Sequence, residues 1–187
     1  MDKKQDLPFM SGEELVNEIM KDFDAHDFTV GIFKDDEFTS FMGRDDVVVI
    51  RDTNKDMQKQ CLVYARVRIN SDGIKYEVYV NSGILAIARK YPSWREMLEA
   101  NLIHEKSHIE HGDLLRNMLS DEEAINLHKR AVPALSEARA DRYACKCGYG
   151  KALLKFLRIL YWGGNCFSKN DIGARIELIK RYLKKHH

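Results

Sequence analysis

Two histidines four residues apart constrain this chain more than any other feature. His104-Glu105-Lys106-Ser107-His108 reads H-E-x-x-H inside the run Arg95–Met118, which has few helix breakers before Gly112. On an α-helix, positions i and i+4 stack on one face, so both imidazoles reach one ion from a single rigid rod. Glu105 follows about a quarter-turn round, where it meets a water held by that ion. Two imidazoles as zinc ligands beside a carboxylate base is the pattern of metal-assisted hydrolysis. The pattern is short and also arises by chance in helices that bind nothing. A helix wheel separates the two cases. Leu98, Leu102 and Ile109 gather beside the histidine stripe, while Glu99, Lys106 and Glu110 fall opposite. The histidines therefore border a buried face, where a metal site in a cleft belongs.

A catalytic zinc site takes three protein ligands and leaves one position for water. His111 lies at i+7 from His104 on the same face. At 1.5 Å per residue it sits about 10 Å along the axis, too far to share an ion with His104 across His108. It reads as a rim or structural histidine, and the glycine turn that precedes a metzincin third histidine is absent. Glu137 is the better third ligand. Glu137 and Asp141 are again i, i+4, in Ser136-Glu137-Ala138-Arg139-Ala140-Asp141-Arg142-Tyr143-Ala144. A second helix crossing the first delivers Glu137 to the metal. Asp141 then accepts the free ring N–H of a histidine ligand, which fixes its tautomer. Ser107, Ala138, Ala140 and Ala144 are small and permit close approach. The competing reading is a solvated helix face of i, i+3 and i, i+4 ion pairs. The upstream H-E-x-x-H tips the choice toward a ligand.

The 187 residues suit one domain, and a 44% hydrophobic fraction is enough for a core. Acidic and basic residues nearly cancel, leaving +1, and the only basic block is Lys184-Lys185, so no nucleic-acid partner is expected. No apolar run approaches the roughly 20 residues that span a bilayer. The N-terminus is charged and lacks the apolar core of a secretion signal. The chain thus reads as cytoplasmic, without a membrane partner. Cys61, Cys145, Cys147 and Cys166 fit reduced thiols. Cys145 and Cys147 point different ways on a helix, which favours ordinary thiols over a second zinc site.

Along the chain, Ser11 and Glu14 open a helix with an apolar face of Leu15, Ile19 and Phe23. Phe28–Phe33 and Val47–Arg51 read as strands, with the acidic segment 34–46 as a loop or short strand pair. Two alternating runs, Cys61–Ile69 and Ile74–Val80, flank Asp72-Gly73 and predict a hairpin. Tyr76, Val78 and Val80 face one way; Lys75, Glu77 and Tyr79 face the other. Asn81-Ser82 caps a helix that stops before Pro92. Ser93 with Glu96 forms a capping box for the H-E-x-x-H helix, and Ser120 with Glu123 repeats it. Pro133 starts a helix to Lys146, ended by Gly148 and Gly150. Ala152–Trp162 follows, and Ser168 or Asn170 caps a last helix. The fold class is α+β: a small N-terminal antiparallel sheet, then a helical half carrying the site.

With these residues in hand, the chain resembles the M48 zinc metallopeptidases. Val80-Asn81-Ser82-Gly83-Ile84-Leu85 is similar to the strand and Gly-Leu-Leu entry of that family. His104–His108 with His111-Gly112-Asp113 is similar to its active-site helix and exit. Glu137 to Ala144 matches its Glu-x-x-x-Asp helix, and Ala174-Arg175-Ile176-Glu177 resembles its closing segment. The likeness spans roughly Tyr76 to Leu183; residues 1–75 have no counterpart. The ImmA/IrrE peptidases are a second, looser resemblance.

The resemblance implies a gluzincin (zincin-like) fold with zinc on His104, His108 and Glu137, and Glu105 as base. Asp141 stands behind the ligands, and Arg175 binds the oxyanion or orients Asp141. Ser107 stands where the family has glycine. Lys169-Asn170 replaces its tail His-Pro, which leaves the oxyanion-stabilising group open; Tyr143 and Tyr161 are the alternatives. The expected function is zinc-dependent peptide-bond hydrolysis of a peptide or protein substrate. A substrate strand would pair with Lys75–Val80 if that strand lies at a sheet edge. One alternative is a silent zinc-binding regulator or scaffold that acts by binding a partner; another is a latent form, its cleft occupied by the N-terminal region or by the His186-His187 tail.

Overall fold

Alternating apolar runs ahead of the histidines build a small sheet. The structure is a computed structural model that describes residues 33–53, 62–71, 73–115, 132–163 and 169–186. Strands β1 (Phe33–Lys34), β2 (Val47–Asp52), β3 (Val63–Asn70) and β4 (Gly73–Asn81) lie in the order β1-β2-β4-β3. β3 and β4 form the expected antiparallel hairpin, with Asn70 opposite Gly73. Gly73 adopts φ 109°, which suits a residue without Cβ. The sheet is mixed rather than antiparallel, because β2 pairs with β4 in parallel. β4 is therefore internal, and Lys75–Val80 has no free edge to offer a substrate. The long free edge among the described strands belongs to β3.

The predicted alternation of β4 holds at Tyr76, Val78 and Val80, which are buried. Glu77 on the outer set is also buried. Arg68 pairs with it at 3.2 Å and the Tyr79 hydroxyl donates to it at 2.8 Å.

The acidic segment after β1 folds as helix α1 (Asp36–Met42), not as a loop or strand pair. The Asp35 side chain caps it by accepting from the Phe38 N–H, Asp36 and Glu37 sit at its positive end, and Gly43 closes it at φ 63°. Phe38 and Met42, four apart, are completely buried. Helix α2 (Ser82–Lys90) carries the expected Asn81 cap, whose Oδ1 accepts from the N–H groups of Gly83 and Ile84 at 2.9 and 3.3 Å.

Helix α3 (Pro92–Glu110) carries the histidines. The expected Ser93–Glu96 capping box is not its start. Tyr91 is the N-cap without a side-chain bond, and Pro92 occupies the first turn, where its missing N–H leaves no partner unsatisfied. Helices α4 (Val132–Lys146), α5 (Gly150–Gly163) and α6 (Lys169–His186) follow. Gly148 turns the chain at φ 90°, but Gly150 begins α5 instead of ending α4. Glycine is required there by contact: a Cβ would lie 2.8 Å from Cys145 Sγ. Asn170 lies inside α6 and does not cap it. The expected Ser11 helix, the strand residues before Phe33, the Ser120–Glu123 capping box, Cys61, Cys166 and Ser168 lie outside the described residues.

α3 is the central element and packs against α2, α4, α5, β3 and β4. Its Leu98, Leu102 and Ile109 are buried, and each such side chain stabilises the fold by about 1.5–3 kcal/mol. The chain is thus α+β, a small sheet followed by a helical half. No described helix is long and apolar enough to cross a membrane.

Candidate metal centre

α3 presents His104 and His108 on its buried side, 4% and 7% exposed. Their Nε2 atoms are 3.1 Å apart. α4 lies against α3 and brings the Glu137 carboxylate onto both rings, Oε2 at 3.2 Å from His104 Nε2 and Oε1 at 3.3 Å from His108 Nε2. The crossing is made close by small side chains: Ser107, Ala140 and Ala144 are completely buried. His104, His108 and Glu137 are close enough to hold a metal ion, and they are the only such cluster found among the described residues. The Glu137 side chain keeps 35% of its surface exposed, so the site opens to solvent on that side.

Behind each histidine stands an aspartate held by an arginine. Asp141, one turn along α4 from Glu137, places Oδ1 3.0 Å from His104 Nδ1. Arg175 of α6 clamps Asp141 through Nε at 2.9 Å and Nη2 at 2.7 Å, and reaches Glu137 Oε2 through Nη1 at 2.8 Å. Asp113 places Oδ2 3.0 Å from His108 Nδ1, and Arg139 binds both Asp113 oxygens. Sequence reasoning reached Asp141 and Arg175 but not Asp113 or Arg139. On an unbroken helix a residue five ahead lies about 140° round from His108. Only the left-handed Gly112, φ 68°, turns Asp113 back onto the ring.

Charge and burial act against each other throughout the cluster. Burial disfavours the His104 imidazolium, but Asp141 and Glu137 outweigh it and raise its pKa to about 9. His108 is also raised, burial again being overcome, chiefly by Glu137. Burial opposes the Glu137 carboxylate, yet its two histidine partners hold it far below the usual range. Asp141 is lowered likewise by His104 and Arg175 against burial. Glu105 is shifted the other way: burial raises it, and the neighbouring imidazoles only partly compensate. No described residue forms a hydrogen bond or ion pair with Glu105. Four carboxylates, on Glu105, Asp113, Glu137 and Asp141, face two guanidiniums, on Arg139 and Arg175. With neutral imidazoles these six described groups sum to a charge of −2, which a divalent cation would balance.

Other candidate residues lie apart from the cluster. His111 turns back on α3, its Nδ1 2.8 Å from the Ser107 carbonyl oxygen, with the Tyr143 ring edge-on at 6.4 Å. Tyr161 packs edge-on against Trp162. Cys145 is buried and Cys147 exposed, so the two do not converge. His186 stacks against Tyr182 of its own helix at 4.4 Å. No protein-family model, no curated protein and no solved structure matches the chain. The functional reading therefore stands on these residues and their geometry.

Proposed function

We propose that the chain is a zinc metallopeptidase with a zincin-type site, in which His104, His108 and Glu137 hold the ion and Glu105 is the general base. One observation carries the reading: the convergence of His104, His108 and Glu137 on one point. Zinc bonds of about 2.0–2.1 Å in a tetrahedron place ligand atoms about 3.3 Å apart. His104 Nε2 and His108 Nε2 are 3.1 Å apart, each is met by a different Glu137 oxygen, at 3.2 Å (Oε2) and 3.3 Å (Oε1), and one donor atom from each residue lies within 4.8 Å of the other two. Nitrogen and carboxylate donors in this number suit zinc and leave a position open. Bound there, zinc lowers the pKa of a water and polarises a carbonyl.

The protein residues do the rest. Glu105 adjoins the cluster with its carboxylate unpaired among the described residues and its pKa raised by burial. A carboxylate moved toward neutrality takes a proton from the attacking water and returns it to the leaving amine. Arg175 fixes Glu137 and Asp141 together, and Asp141 holds the His104 tautomer. An extended peptide finds backbone partners on the free edge of β3, which packs against α3.

Two variants test this. Metal analysis of the native chain beside Glu137→Ala should find about one zinc per native chain and a large loss in the variant. Glu105→Gln should keep its zinc and lose about 10²–10⁴-fold in peptide hydrolysis. Hydrolysis undiminished in Glu105→Gln would remove the mechanism. Zinc binding without turnover in the native chain would instead favour a zinc-bound scaffold or regulator.

A further inference from the structure

We propose that Asp113 and Arg139 form a positioning pair for His108, so that each histidine of the cation site is oriented by its own aspartate and arginine. This rests on the reading of His104, His108 and Glu137 as that site. Asp113 is 8% exposed and sits 3.0 Å from His108 Nδ1. Its carboxylate can only accept there, so a neutral His108 ring keeps its proton on Nδ1 and turns the Nε2 lone pair toward His104 and Glu137. The reverse tautomer would place a proton where the cation belongs.

Arg139 secures the aspartate. Its guanidinium meets both oxygens of Asp113, and a bidentate pair fixes a carboxylate in plane as well as in distance. The arginine comes from α4, two residues after Glu137. It thereby fastens the exit of α3 to the helix that supplies the third ligand. A purely structural ion pair would need no contact with the imidazole. Here one oxygen, Asp113 Oδ2, serves both the ring and the arginine. The arrangement mirrors Asp141 and Arg175 behind His104, although the two aspartates come from different segments.

The test compares the native chain with Asp113→Ala, Asp113→Asn and Arg139→Gln. Zinc affinity is measured by competition with a chelating indicator, and site geometry by the visible spectrum of the cobalt(II) form. Asp113→Ala should weaken zinc by about 10–100-fold and alter the cobalt spectrum. Asp113→Asn keeps an acceptor oxygen and should recover part of that loss. Arg139→Gln leaves Asp113 on the ring and should weaken zinc by several-fold; it serves alone if the Asp113 variants do not fold. Variants with unchanged zinc affinity and an unchanged cobalt spectrum, whatever their thermal stability, would overturn the positioning role. A native chain that binds neither ion would refute the centre itself, and this pair with it.

Discussion

His104 is held between two carboxylates, and the pair sets how proton and metal compete for one nitrogen. In the absence of a cation, Asp141 and Glu137 favour the imidazolium and raise its pKa from an ordinary 6.5 to about 9. A raised pKa stabilises the fold fully below the unfolded value, near 6.5, and that contribution is lost as pH rises through about 9. Zinc needs the same Nε2 deprotonated, so its affinity has the opposite slope. Zinc affinity should climb between pH 6.5 and 9 and then level, with proton release on binding. Titration calorimetry in buffers of different ionisation enthalpy checks both. Over the same interval the thermal midpoint of the chelated protein should fall and the increment given by zinc should widen. Glu137 was legible in the sequence because one period, i to i+4, places it and Asp141 on one face. Asp113 and Arg139 were not, because their contact depends on one left-handed glycine and on 26 residues of separation.

Among the elements, α4 bears the heaviest constraint, since one rod presents Glu137 to both histidines and Asp141 to His104. Its junction with α5 is tight. A Cβ at Gly150 would meet Cys145 Sγ at 2.8 Å, Leu183 Cδ2 at 3.0 Å and Cys145 Cα at 3.3 Å. Gly150→Ala should therefore destabilise by about 1–3 kcal/mol, as overpacking does, in chemical denaturation. Asn81→Ala removes the cap that accepts from Gly83 and Ile84 and should cost about 1 kcal/mol. The Asn81 cap was readable because an Asx residue ended a strong strand pattern. α1 was missed because seven residues show too little periodicity, and its acidic first turn looks like a loop. In fact those acids, Asp36 and Glu37, complement the helix dipole. At α3, Ser93 and Glu96 had the spacing of a capping box, but the φ of Pro92 suits a first helical turn, which moves the start upstream.

The molecule as a whole joins segments far apart in the chain at one point. His104 and His108 come from α3, Glu137 from α4 and Arg175 from α6. A cation there ties elements that separate on unfolding. Zinc at a hundredfold excess over Kd should raise stability by about 2.7 kcal/mol, and a chelator should reverse it; thermal scans with and without chelator read the difference. The sheet order was the least legible feature. The parallel pairing of β2 with β4 joins strands more than twenty residues apart, and no local pattern distinguishes an internal strand from an edge. Ser107, completely buried on α3 beside His108, carries a further consequence. Its small volume sets the clearance between two rods, and a carboxylate as short as that of Glu137 has no slack to recover a widened gap. A bulkier side chain at this position would push α3 and α4 apart and draw Glu137 away from His104 and His108. Change at so bland a serine would then show first as weakened cation binding.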